Sequence, residues 1–177
     1  MTDHARHDSS LGEARAVAAY LTAIRTLVNE ASASRAAWIR QLGQLMKAVR
    51  SSADEPGPLA AEALRVGTEQ AAAFRAFRER LDKLNAPGIC QDCHLIVLGW
   101  LDKQMAACDV MIDVGKSGDL ASLRATQGLL AEGRDDTRRF ATTYAELVAW
   151  LRERLDVARQ SRPSRAKRPR IPWLRGR

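Results

Sequence analysis

The residues best suited to chemistry in this chain lie in one short run, Cys90-Gln91-Asp92-Cys93-His94. Thiolates and imidazoles are common ligands of transition metals, and a thiolate is also a strong nucleophile. On a helix, this spacing places two thiols about one turn apart and an imidazole directly after the second. Four interpretations of the run follow from these properties.

The first interpretation is a covalent cofactor. Cys-x-x-Cys-His resembles the attachment sequence of c-type cytochromes, in which both thiols bond to the vinyl groups of haem and the histidine binds the iron. A helical-bundle fold would be similar to that of the cytochrome c′ group. The resemblance implies that Cys90, Cys93 and His94 bind haem. It also implies export, because c-type haem is attached outside the cytoplasm.

The second interpretation is a metal site. Cys90, Cys93 and His94 offer three ligands of the kind that zinc and iron prefer. A fourth ligand would have to come from the N-terminal residues or from an opposing helix. The candidates for this fourth ligand are His4, His7, Tyr144 and Glu146.

The third and fourth interpretations are thiol redox chemistry and simple packing. A Cys-x-x-Cys pair at a helix N-terminus can have a thiol pKa lowered by the helix dipole, although such pairs usually accompany strands, and no strand pattern is found in this sequence. In the packing interpretation, an apolar stripe formed by Cys90, His94, Val97, Leu101 and Cys108 faces the core.

No other motif in the sequence indicates catalysis. Glu-x-x-His pairs, a phosphate-binding loop, a dinucleotide fingerprint and a Gly-x-Ser-x-Gly elbow are all absent. Asp109 and Asp113 follow Cys108, but acidic residues on a helix are usually a solvated face. We therefore predict that the protein is not an enzyme.

The charge of the chain is concentrated at its C-terminal end. The net charge is +7, yet residues 159–177 hold eight basic residues and no acidic one, which leaves −1 for residues 1–158. This tail contains Pro163, Pro169 and Pro172, and little apolar content before Ile-Pro-Trp-Leu at 171–174. Such a composition predicts disorder. The residues predicted to bind a partner are Arg165, Lys167, Arg168, Arg170, Ile171, Trp173 and Leu174.

Two kinds of partner suit the tail. Its charge favours nucleic acid or anionic lipid, which bind basic segments through phosphate groups. Its apolar end is typical of a short anchor that enters a pocket on a protein. We expect a protein partner, with nucleic acid or lipid as the alternatives.

Helix is the predicted secondary structure throughout. Apolar residues recur at heptad spacing from Val17 to Val49, as in bundles and coiled coils, with Arg35 as one polar interruption. Turns are predicted at 51–58, 85–88 and 117–119 because Pro, Gly, Asn and Asp cluster there. We predict a disordered arm over 1–10, helices over about 11–51, 58–85, 88–115 and 119–160, and a tail over 161–177.

Long helices with short connections predict an all-α, antiparallel, up-down-up-down four-helix bundle. We expect the third helix to be the most buried, because residues 95–100 are apolar nearly all round. The first and fourth predicted helices are longer than the others, so residues 11–22 and 148–160 should project together beyond the core. Val17, Leu21, Trp150, Leu151 and Leu155 would then form an apolar surface for a homodimer or another partner. In the alternative, helix one breaks near 32–34.

The sequence favours a non-enzymatic interaction or scaffold protein that docks a partner through its tail. The alternative is a haem- or metal-binding bundle at Cys90, Cys93 and His94, used in electron transfer or sensing. The N-terminal residues have no secretory pattern, and no apolar run is long enough to cross a bilayer. We therefore expect a cytoplasmic protein, or an extracytoplasmic one if haem is covalently attached.

Overall fold

A computed structural model describes residues 3–51 and 56–160, with side chains from residue 12 onward. Within these residues there are four α-helices and no strand: α1 (Asp3–Ser51), α2 (Pro56–Asp82), α3 (Gln91–Ser117) and α4 (Leu123–Gln160). A one-turn 3-10 helix precedes α3 at Gly88–Cys90, and another precedes α4 at Leu120–Ser122. The predicted all-helical architecture with four helices is confirmed. Among these residues, no helix is both long and apolar enough to span a membrane.

The heptad stripe of α1 faces the core, as its spacing predicted. Its apolar members are buried or half-buried from Val17 to Val49, and Trp38 is fully buried. The helix runs without a break through 32–34. The helix begins at Asp3, before the start predicted near residue 11.

The connection between α3 and α4 shows how local sequence ends one helix and begins the next. Gly118 has φ 75°, a left-handed conformation that glycine adopts without steric cost, and its N–H donates to the Val114 carbonyl across 2.8 Å. The carboxylate of Asp119 then accepts from the Ala121 N–H at 3.2 Å and so caps the following 3-10 turn.

Two glycines allow α2 and α3 to approach closely. A β-carbon at Gly115 would lie 2.6 Å from the backbone nitrogen of Leu64, and one at Gly67 would lie 3.1 Å from the Cys108 carbonyl. A larger residue at Gly115 would force the two helices apart, and one at Gly67 would fit only if its neighbours shifted slightly.

The surface predicted beyond the core is smaller than expected. Val17 and Leu21 are 0% and 3% exposed, and they belong to the same apolar cluster as the centre of the bundle. Trp150 and Leu151 pack against this cluster. The exposed part is the end of α4, where residues 152–157 are all exposed.

Candidate functional site

The cysteine-histidine run lies at the N-terminal end of α3. Cys90 closes the 3-10 turn, with its N–H bonded to the Pro87 carbonyl at 2.8 Å, and Cys93 and His94 occupy the first turn of α3. Both cysteines are 0% exposed, as is Cys108 further along the helix, and all three are free thiols. The thiols therefore point into the core and away from solvent.

His94 is held by a tyrosine from α1. The hydroxyl of Tyr20 lies 3.2 Å from Nδ1 of His94, and the two rings stack with centroids 6.3 Å apart. Tyr20 is 4% exposed, and burial, followed by the nearby Cys93 and Cys90, raises the pKa of its phenol above the usual range. The phenol therefore stays protonated, and its hydroxyl can act as a hydrogen-bond donor toward the His94 ring.

Burial suppresses the reactivity of all three thiols. It raises the pKa of Cys90, and together with the neighbouring Cys90 it raises the pKa of Cys93 to about 12. Burial and then Asp109 raise the pKa of Cys108 to about 12. A redox thiol needs a lowered pKa and an accessible sulfur. Burial gives the opposite pKa shift and covers the sulfurs, so the geometry does not support the redox interpretation.

The same burial bears on the haem and metal interpretations. A side chain that is 0% exposed has no water-sized space beside it, so the packing around Cys90 and Cys93 does not fit a haem. Within the described part of the chain, no group of three or more His, Cys, Asp or Glu side chains is arranged to hold a metal ion. Both interpretations stay predictions without support from this geometry.

The other predicted residues are dispersed. Tyr144 donates to the Leu21 carbonyl at 3.5 Å, and Glu146 lies on the surface of α4. Asp109 and Asp113 are exposed. The side chains of His4 and His7 are not described. All seven predicted partner-binding residues of the tail lie outside the described residues, namely Arg165, Lys167, Arg168, Arg170, Ile171, Trp173 and Leu174.

The polar interruption in the α1 stripe has partners across the core. Arg35 donates to the Gln104 side-chain oxygen and to the Leu130 carbonyl, each at 3.0 Å, and so joins α1 to α3 and α4. Gln104 is fully buried and donates in turn to the Trp100 carbonyl at 3.3 Å. Burial, and then Arg134, lower the pKa of Arg35 from its usual value. This network has a structural role, because no open space adjoins Gln104.

An open groove runs along the outer surface between α3 and α4. Its volume is about 710 Å³, and its floor includes Leu95, Ile96 and Gly99 from α3. Leu95 is 57% exposed, one of the few large apolar side chains so placed in the described residues. A β-carbon at Gly99 would meet nothing within 4 Å, so the glycine leaves extra room here.

The two ends of the groove differ in charge. Asp92 and Glu146 line the end of the groove near the N-terminus of α3. Asp92 lies two residues before His94, which contacts Tyr20. Glu146 lies two residues after Tyr144, which contacts the Leu21 carbonyl. The opposite end is lined by Lys103, Arg138, Arg139 and Asp136.

Ion pairs offset part of the charge at the basic end. Lys103 lies 2.6 Å from Asp136, Arg139 lies 3.8 Å from Asp136, and Arg138 lies 3.1 Å from Asp135. No ion pair involves Asp92 or Glu146 within the described ranges. The acidic side chains without an ion pair therefore lie at the end nearer the C-terminus of α4, whereas the opposite end has three basic side chains against two acidic ones.

The sequence prediction missed this groove. The apolar run 95–100 indicated burial on every side, and Val97, Trp100 and Leu101 are indeed buried. Leu95 is the exception, because it faces the surface between two helices. The sequence nevertheless contained a signal for an exposed apolar surface here. A helix needs only one apolar stripe to pack, so the additional apolar residues at 95–100, together with Gly99, exceed what packing requires.

No family model matches the chain, and no curated protein or solved structure matches it significantly. The functional proposal therefore depends on the residues and geometry described above.

Proposed function

We propose that this chain is a non-enzymatic helical interaction protein that binds a partner protein through its C-terminal end. The observation that carries the proposal is the exposed end of α4, which leads directly into the basic tail. Residues 152–157 are all exposed, although the helix continues to Gln160. Leu155 is 39% exposed on this segment. A rigid helix that ends in a charged segment with an apolar anchor is well suited to present that anchor to a partner.

The thiol and histidine geometry favours this function over catalysis. Cys93 and Cys108 are protonated at neutral pH because burial raises the pKa of each to about 12. His94 is engaged by Tyr20. A nucleophile and a general base at this end of α3 would need to be more accessible than these side chains are.

We also infer that the four helices alternate in direction, as an up-down-up-down bundle. The contacts support this inference, because residue numbers fall on one helix as they rise on its neighbour. Between α2 and α3, Gly115 meets Leu64 and Asp102 meets Arg78. Between α3 and α4, Gln104 lies beside Gly133, and Lys103 pairs with Asp136.

The experiment that tests the function compares the full chain with two variants. One variant lacks residues 161–177, and the other carries Ile171→Ser, Trp173→Ser and Leu174→Ser with the tail charges unchanged. Partners are captured from an extract of the native source by cross-linking and identified by mass spectrometry. Both variants should lose a protein partner that the full chain retains. Equal capture by all three proteins would reject the proposal.

A salt series separates the alternative partners of the tail. Binding to a short DNA duplex or to phosphatidylserine vesicles depends on charge and should weaken steeply with salt, whereas an apolar anchor should bind with little salt dependence. Light scattering over a concentration range tests the remaining alternative, a homodimer formed through the end of α4. A partner that tolerates salt and requires Trp173 supports the proposed protein docking.

A further inference from the structure

We propose that the tail of this chain folds back and occupies the groove between α3 and α4 when no partner is bound. In this arrangement, the apolar anchor Ile171–Leu174 lies on the floor formed by Leu95, Ile96 and Gly99. The basic residues that precede the anchor lie at the acidic end of the groove. The proposal goes beyond partner binding, because it assigns a site on the bundle that competes with the partner for the same segment.

The groove has the features that an apolar segment requires. Leu95 is 57% exposed at its floor, and the space above Gly99 is open. The groove volume of about 710 Å³ lies in the range of sites that hold small ligands and short peptide anchors. Covering Leu95 and Ile96 with Trp173 would remove apolar surface from water on both sides, which stabilises the docked state.

The tail is long enough to reach this position. From Gln160 back to the level of Glu146, α4 rises about 21 Å, and to the level of Thr143 about 26 Å. An extended segment covers about 3.3 Å per residue, so the 11 residues from Gln160 to Ile171 reach about 36 Å. Pro163 lies three residues after the end of α4 and favours a change of direction there. The extended length of this segment therefore exceeds the distance along α4 by about 10–15 Å, which corresponds to several residues.

The order of chemical groups matches along the tail and along the groove. Both begin at the same end of α4, and a returning tail meets Asp92 and Glu146 before it meets Leu95. Along the tail, the basic residues Arg165–Arg170 come before the apolar residues Ile171–Leu174.

The ion pairs described above define the attraction. Asp92 and Glu146 lack ion-pair partners within the described residues, whereas Lys103, Arg138 and Arg139 are already paired. The tail therefore supplies the positive charge that this end of the groove is missing. Because the far end is basic, we expect Arg175 and Arg177 to turn away into solvent.

The covalent connection favours the tail of the same molecule over that of a second copy. A short tether gives the attached segment an effective concentration in the millimolar range, far above that of a free copy in dilute solution. Weak contacts are then sufficient for occupancy, and a stronger partner can still displace the tail. Partner binding would thus be opposed by the bundle itself.

The test uses the full chain and needs no partner, so it can fail independently of the proposed function. Backbone amide spectra of the wild type are compared with those of Trp173→Ser, and the Trp173 indole signal is followed in Leu95→Ser. Ile89→Ser is the matched control, because Ile89 is also an exposed large apolar residue but does not line the groove. Glu146→Lys tests the charge contribution.

We expect Trp173→Ser to shift the amides of Ile96, Gly99 and Thr143, and Leu95→Ser and Glu146→Lys to move the Trp173 indole toward its solvent-exposed position. Ile89→Ser should leave that signal unchanged. All shifts should be independent of protein concentration. Unchanged groove amides in Trp173→Ser would overturn the proposal, and so would shifts that grow with concentration, since those indicate the tail of a second copy.

Discussion

The guanidinium of Arg35 donates a hydrogen bond to Oε1 of Gln104 across 3.0 Å and joins α1 to α3 inside the bundle. Gln104 is fully buried, and the only other hydrogen-bond acceptor of Arg35 in the described residues is the Leu130 carbonyl. Arg35 is half-buried, so the loss of an acceptor on its buried side would leave part of its hydrogen-bonding capacity unsatisfied. Several testable consequences of the fold begin with this pair.

Replacing Gln104 with Leu should lower the free energy of unfolding by about 1–2 kcal/mol, because the half-buried Arg35 loses the acceptor on its buried side. The double variant Arg35→Met, Gln104→Leu should recover most of this loss, since no charge is then left without its partner. Urea unfolding of the two single variants and the double variant measures the coupling. Gln127→Leu, at an exposed position on α4, is the control and should change stability by less than about 0.5 kcal/mol.

Gly115→Ala should destabilise the protein by about 1–3 kcal/mol, because the added β-carbon would lie 2.5–2.7 Å from atoms of Leu64 and push α2 from α3. Gly128→Ala is the matched control, since a β-carbon there meets nothing within 4 Å. That variant should gain roughly 0.5–1 kcal/mol from the better helix propensity of alanine. Equal melting temperatures for the two variants would contradict the close approach of the helices.

Leu101→Ala and Leu95→Ala should differ widely in their effect on the free energy of unfolding, although both residues lie on α3. Leu101 is 0% exposed, so its truncation leaves a cavity and should cost about 2–5 kcal/mol. Leu95 is 57% exposed, and its truncation should cost less than about 0.5 kcal/mol. Thermal unfolding of both variants measures the difference. A large loss for Leu95→Ala in a chain lacking residues 161–177 would show that the groove is filled by something other than the tail.

Stability should fall as the solution becomes alkaline. The pKa of Cys93 and of Cys108 is about 12 in the folded state, whereas an unfolded thiol titrates near pH 8.5. Between these values the folded state binds more protons than the unfolded state, so the stabilisation is complete below about pH 8.5 and is lost as pH rises toward 12. The slope per buried thiol is at most about 1.4 kcal/mol per pH unit.

Urea midpoints measured from about pH 8 to about pH 10 test this dependence. The variant Cys93→Ala, Cys108→Ala should be less stable at neutral pH but should show a shallower slope, and the slope is the diagnostic quantity. Slow reaction of the native protein with a thiol reagent is expected from the same burial. An identical slope in wild type and variant would mean that other groups cause the alkaline loss.

Local sequence was sufficient to predict the helices and most of their ends. The heptad spacing of α1 predicted which face is buried, and Gly118 predicted the turn before α4, because both features depend on residues a few positions apart. The start of α1 at Asp3 precedes the predicted start, because polar residues can extend a helix that is already formed. The excess positive charge at 159–177 was likewise readable from composition alone.

Tertiary structure decided what the chemically distinctive residues do. The run from Cys90 to His94 has the same sequence whether its thiols face solvent or the core, and only the packing of α1 against α3 placed Tyr20 on His94 and desolvated both sulfurs. The partners of Arg35 and the groove above Gly99 involve residues more than 30 positions apart. Periodicity defines one apolar face per helix, but which faces meet, and where they leave a gap, depends on the fit of all four helices together.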